Sequence, residues 1–348
     1  MWPLIRMIMV LFGLIILILC FMGLHKPEAR SFDKNIVTVL KPFLAIGIVL
    51  HHLHGKSIFL HEFERWGPLI VSMFFFISAY GLLYSLDARP NYMRNFAVKK
   101  VLCKLVFPML LAFTLNLLLN ENLEDFSFME HLLNPSGPYF FSNDWFLYVL
   151  IYCYLIFMVA ARFNHKREIR IAILTCGCLA IVIFAAFKGF ARNWWATPLA
   201  FPVGAIYYQY ERYIRNIVDG KKGLIVSIFV YFLVFACLFV CSAIFKNQLT
   251  TVLAYSLIPL LFVDCIIRVD LSSLAKNKTI LFLSKISFEI YLVHGIIIDF
   301  LSKRLYLSGY ILIIASIVVS LIVAVLFHEV ITICRKPFEP RNSIKTSV

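Results

Sequence analysis

Eleven apolar runs, each close to the length a helix needs to cross a bilayer, follow one another along this chain: 2–24, 36–54, 67–86, 101–120, 144–162, 169–187, 193–210, 223–245, 249–268, 280–299 and 306–329. A hydrocarbon core about 30 Å thick takes about 20 residues of helix to span. In that solvent every backbone N–H and C=O must find a partner within the protein, so runs of this kind fold as packed helices. The expected fold is therefore all-α, a polytopic transmembrane helical bundle of about eleven helices. Pro198 and Pro202 interrupt the seventh run, which neighbouring helices can accommodate. The first run carries Arg6 and is followed by "CFMGLHKPEAR", which holds no small-residue cleavage site, so it reads as an uncleaved helix. Composition agrees: 61% of the 348 residues are hydrophobic and 15% charged, against about half and a quarter in soluble domains.

The net charge of +14 raises nucleic acid as a partner, but the position of the charges argues against it. Of the 33 Lys and Arg residues, 22 fall in one alternate set of loops and the tail, and 8 in the opposite set. That asymmetry is the positive-inside signature. It places the N-terminus outside and the C-terminus in the cytoplasm. Trp2, Trp66, Trp145, Trp194 and Trp195 then all fall at outer ends of runs, where interfacial tryptophan belongs. The nine cysteines lie mostly within apolar runs and form no CxxC pair, so neither a disulfide framework nor a metal site is expected.

The segment "LKPFLAIGIVLHHLHGK", 40–56, is apolar but opens on Lys41 and closes on His51, His52 and His54. Such groups are costly in hydrocarbon unless they meet a partner or act. Eleven positions at ~100° each bring Lys41 and His52 within ~20° of one helix face, ~16 Å apart along the axis. The two are expected to point into one shared cavity, with an anion-binding group low and a proton-transfer group high. His51 and His54 lie ~100° and ~200° around, so one straight helix cannot bring all three imidazoles to one site. Snorkelling of Lys41 to the inner surface, and headgroup contact for the histidines, are the bland alternatives.

Further motifs follow in order: "GPLIVSMFFFISAYGLLYS", "RNFAVKKVLCKLVFP", "NDWFLYVLIYCYLIF", "LSKISFEIYLVHGIII" and "FHEVITICRKPFE". With the 40–56 segment, this series resembles the acyltransferase-3 family of bacterial integral membrane acyltransferases. The resemblance implies ten core helices over 31–340, an extra N-terminal helix and loop over 1–30, and a cytoplasmic tail at 341–348. It implies transfer of an acyl group, often acetyl from acetyl-CoA, onto a hydroxyl of an extracytoplasmic or lipid-linked glycan. The enzyme would lie in the bacterial cytoplasmic (inner) membrane, with acyl-CoA as co-substrate and no permanently bound cofactor. The family's Arg, ten residues, then His is met by Lys41 and His52. A lysine holds phosphate as a point charge rather than a bidentate fork. The family's basic motif is similar to Lys99, Lys100 and Lys104 ahead of Pro108, without Arg and with altered spacing, and Ala79 stands where Gly is usual.

Site residues follow from both readings. Candidate catalytic groups are His52, His51, Glu289 and His294. Glu289 sits mid-run, where a carboxylate is costly; pairing with Lys41 or His52 is expected, and it is a candidate to orient the His52 imidazole. His294 lies ~140° around the helix from it, and is nearly as well read as a structural histidine. Phosphates of acyl-CoA are assigned to Lys41, Lys99, Lys100 and Lys104, with Arg94 joining through its loop. Topology anchoring is the plainer reading of the three loop lysines. Asp144, Trp145, Trp194 and Trp195 are candidates for the acceptor sugar, and an interfacial belt is their bland alternative. His328 and Glu329 close the last run, with a helix-stabilising ion pair as their plain reading. The rival function is a transporter or flippase for polysaccharide or lipid-linked sugar, using these polar groups as a proton relay.

Overall fold

The computed structural model describes residues 29–56, 58–121, 126–163, 166–244 and 248–335, and among them no strand occurs. Ten long helical segments follow one another: α1 (Lys34–His52), α2 (Trp66–Ala88), α3 (π-helical Ala97–Val106 continuing as Phe107–Leu119), α4 (Trp145–Ala160), α5 (Arg167–Phe187), α6 (Ala200–Val218), α7 (Gly220–Ile244), α8 (Gln248–Ile266), α9 (Lys278–Asp299) and α10 (Gly309–Arg335). Nine helices among the described residues are long and apolar enough to cross a membrane. The chain is a multi-pass membrane protein. The expected helix at 2–24 lies outside the described residues.

The run expected at 193–210 divides. A short helix, Arg192–Ala196, sits at the outer end, and α6 begins only at Ala200, after Pro198. α6 continues inward to Val218 past Glu211, Arg212 and Arg215, too many charges for an apolar span. It is tolerated because its first half is buried against α2. Ala79 of α2 and Ala200, Gly204 and Ala205 of α6 are all buried. Small residues let membrane helices approach closely where lipid supplies no hydrophobic drive for association.

α1, α2 and α9 form the centre: α1 packs on both α2 and α9, and α9 also meets α3 and α10. The entry to α1 is fixed from two sides. Asp33 caps it by accepting from the Asn35 and Ile36 N–H groups. Glu211 accepts from Ser31 Oγ at 2.6 Å, Phe32 N at 2.7 Å and Tyr80 Oη at 2.6 Å. That carboxylate ties the start of α1 to α2 and α6, which sets the depth of Lys41 and His52. By contrast α7 and α10 turn Phe229, Phe232, Ile311 and Ile314 outward, as lipid-facing helices do.

Candidate active site

Inner and outer denote the two ends of the bundle as the basic residues orient them. At the inner end a cavity of about 330 Å³ is lined by Lys41 of α1, Lys104 of α3, Lys285 and Glu289 of α9, and His328 of α10, with aromatic rings above. Glu289 is buried. Its Oε1 accepts from His328 Nδ1 at 3.0 Å, while Oε2 has no hydrogen-bond partner. The carboxylate also acts electrostatically on the Lys41 ammonium. The result is a pocket with three ammonium groups, one carboxylate and one imidazole, set to receive an anion from the inner side. The π-helical opening of α3 helps shape it, and such wide turns are frequent at functional sites.

The outer end holds two adjoining cavities. One, about 240 Å³, is lined by His51, His52, Trp145, Arg192, Asn193 and Thr197 among others. The second, about 570 Å³, shares Asn143, Trp145 and Asn193 with the first and adds the amides Asn116, Asn120 and Asn134. α1 stops at His52 and passes into a 3-10 turn, His54–Lys56, and this break brings the imidazoles together. The His51 and His52 ring centroids are 4.7 Å apart, His51 and His54 5.7 Å, and His52 and His294 5.1 Å. Among the described residues no group of three His, Cys, Asp or Glu side chains is placed to hold a metal ion.

The four rings are not equivalent. His51 Nδ1 donates to the Phe63 carbonyl at 2.9 Å, and its Nε2 rests on Gly67. A Cβ at residue 67 would fall 2.3 Å from that nitrogen, so only glycine fits there. His51 is thus anchored through Nδ1, with its Nε2 edge packed against Gly67. His54 Nδ1 donates to the His51 carbonyl at 2.6 Å. His294 is fully buried, and its Nδ1 donates to the Tyr291 carbonyl at 2.6 Å. The proton belongs on Nδ1, which leaves Nε2 as a lone pair with no partner. His52 has no side-chain hydrogen bond among the described residues and faces both the outer cavity and His294.

The inner cavity and the outer cavities are distinct. Tyr291 lines the inner cavity and the first outer one, and it is the lining residue those two have in common. Residues 34–329, most of the chain and nearly all of the residues lining these cavities, match the acyltransferase-3 family, described as an acyltransferase domain. The chain belongs to the acyltransferase-3 family. The comparisons with curated proteins and with solved structures found no match. A membrane acyltransferase must bring a donor and an acceptor to one point, and the geometry can be set against that requirement.

The expectation of one shared cavity is corrected: in this acyltransferase Lys41 and His52 share a helix face but open into different cavities. Glu289 does not orient His52. It lies over a turn nearer the inner end of α9 than His294 and pairs with His328, which itself does not pair with Glu329. Beside His52 stands His294 instead. Of the basic residues assigned to the donor, Lys41 and Lys104 line the inner cavity, while Lys99 and Lys100 do not. Lys100 lies over the Tyr92 ring at 5.7 Å, and Arg94 is exposed in the loop before α3. Trp145 and Trp194 line the outer cavities with Asp144. Trp195 does not: its Nε1 donates to the Phe190 carbonyl at 3.3 Å, and it packs against a buried cluster that includes Tyr231 and Tyr255.

Several site residues went unnoticed in the sequence. Asn116, a buried amide within an apolar helix, carried a usable signal, because such groups are retained in membranes for a partner or a ligand. With its amide turned so that both ends are satisfied, Asn193 accepts from Trp145 Nε1 at 2.9 Å and donates to the Ala191 carbonyl at 3.3 Å. Thr197 is buried on the outer cavity wall with Oγ1 unpartnered. Asp144 accepts from Phe140 N at 2.5 Å, and burial pushes its carboxyl up to about 7 although these N–H groups favour the ion. Lys285, at a span edge, and Tyr291 also line the inner cavity.

Proposed function

We propose that this acyltransferase moves an acyl group, acetyl being the simplest case, from cytoplasmic acyl-CoA to a hydroxyl of an extracytoplasmic or lipid-linked glycan, in a bacterial cytoplasmic membrane. The observation that carries the reading is the pair of chemically different cavities on one family-matched domain: ammonium groups inside, imidazoles and amides outside. Lys41, Lys104 and Lys285 receive the CoA phosphates or pyrophosphate, and the thioester arm extends toward His52. The glycan enters through the larger outer cavity, where amides pair with sugar hydroxyls and Trp145 and Trp194 offer ring faces.

Neutral His52 takes the acceptor's proton as the oxygen attacks the thioester carbonyl. The unpaired Nε2 of His294 stands beside the His52 ring, and a turn of that ring lets it accept the His52 N–H and fix the tautomer. Thr197 Oγ1 and Arg192 are the donors at hand for the oxyanion. Collapse breaks the C–S bond, and the thiolate takes the proton from the imidazolium, giving an ester and free CoA. A positioned base contributes about 10²–10⁴ in rate, so His52→Ala is expected to lose that much transfer at equal membrane abundance. Mass spectrometry of surface glycan reads it; unchanged acyl content in the variant overturns the assignment. The transporter reading is favoured by one observation, that Lys41 and His52 line distinct cavities. It predicts that deletion removes the glycan from the surface, whereas acyl transfer predicts that the glycan stays and loses only its acyl groups.

A further inference from the structure

Between the inner and outer cavities stands a small aromatic layer. The Tyr291 ring lies 4.7 Å from Phe146 and 5.8 Å from Phe74, centroid to centroid, and Phe74 and Phe146 are 6.2 Å apart. Phe74 and Phe146 line the inner cavity, and Tyr291 lines both. On its outer side the Tyr291 ring meets His294 at 5.6 Å. Its hydroxyl donates, at 3.4 Å, to the carbonyl of Asn143, a residue at φ +72° that lines both outer cavities. The loop carrying Asn143 sits close on α9 because residue 295 is glycine: a Cβ there would fall 2.8 Å from Asn143 Nδ2. Ser142 in the same loop donates to Asp299 at the outer end of α9.

We propose that Phe74, Phe146 and Tyr291 form a gate between the two compartments, with Tyr291 as its moving leaf. Resting on the acyl-transfer reading, the gate opens to pass the thioester arm toward His52 and closes behind it. Rings are suited to this, because a tyrosine swings on two side-chain torsions without unwinding the helix. Among the described residues its outer hydroxyl bonds only to a loop carbonyl that the acceptor itself would touch. The closed layer keeps water on the outer side from the thioester.

The test reads access rather than transfer, so it stands apart from the acyl-transfer reading. Ser78 lines the inner cavity. Ser78→Cys is placed in the full chain, and sealed membranes are treated from the outer side with a charged, membrane-impermeant maleimide. Mass spectrometry then quantifies modification of the peptide carrying residue 78. With the gate intact the label enters slowly. Tyr291→Ala, and independently Phe146→Ala, are expected to speed it at least tenfold, while Tyr291→Phe, which keeps the ring, leaves it near the parent rate. Equal rates in the parent and in whichever alanine variants are recovered folded overturn the gate, as does labelling of the parent as fast as that of an exposed outer cysteine. Failure here with transfer still lost in His52→Ala removes the gate alone. A gate that opens as described while His52→Ala keeps transfer removes the acyl-transfer assignment alone.

Discussion

Removing His328 should expose how the inner cavity keeps a carboxylate within the bundle. The Glu289 side chain is 7% exposed and His328 30%, with 3.0 Å between the bonded atoms. A hydrogen bond to a charged group contributes about 1.5–3 kcal/mol, and breaking a buried pair from one side costs about 3–5 kcal/mol. Partial exposure of His328 and the nearby Lys41 ammonium bring the expected loss for His328→Ala down to about 2 kcal/mol. For a chain of this size that is a fall of about 3 °C in unfolding temperature. Thermal unfolding of the detergent-solubilised protein, followed by size-exclusion fluorescence without acyl-CoA, reads it. Adding Glu289→Gln removes the stranded charge and should recover at least half of the loss. If His328→Ala melts with the parent, Lys41 alone satisfies the carboxylate. If the double variant is less stable than His328→Ala, the buried charge is not what the imidazole offsets. Either result refutes the reasoning.

Lys41→Ala should raise the KM for acyl-CoA by about 10- to 100-fold, the range of one charge-assisted contact, whereas Lys41→Arg, which keeps the charge, should stay within a few-fold; steady-state release of CoA thiol measures both. The raised Asp144 carboxyl makes a pH prediction. Folding favours its protonated form, so its contribution to stability is fully present below the ordinary value of 3.8 and is lost as pH rises through about 7. Unfolding temperatures taken from pH 4 to 8 should therefore decline more steeply in the parent than in Asp144→Asn, which keeps an oxygen for the Phe140 N–H; parallel curves would show that the buried carboxyl is not the cause.

The helical architecture could be read from the sequence because bilayer thickness fixes helix length, and the apolar runs met it one after another. The seventh run misled for a local reason: "NWWATPLAFPVGAIYYQYER" is apolar on average, but Pro198 ends one helix and charges at Glu211 and Arg212 lie in the next. The common face of Lys41 and His52 was equally readable, since both sit on one regular helix. What each of them faces was not. Helical phase fixes an angle, and cavities are made by other helices whose packing no single run records. Glu289 shows the limit: its burial was foreseen, but its partner, His328, is 39 residues away in sequence. The clustering of His51, His52 and His54 also lay beyond a straight-helix argument, because it depends on α1 ending at His52.

The division between Lys41 and His52 has a physical rationale. A helix that presents a cation near one aqueous phase and an imidazole near the other, along a continuous open bore, would offer protons and water a route across the membrane and would expose a thioester to hydrolysis. A wholly solid core would block the donor from the acceptor. An aromatic layer about one side chain thick, at the depth of Tyr291, meets both demands, since rings pack densely when closed and turn about few torsions when they part. On the acyl-transfer reading, a passage between such rings suits a slender acyl-bearing arm and excludes a glycan. On the proposed acyl-transfer reading the acyl group is what crosses, and the sugar and the nucleotide each stay on their own side.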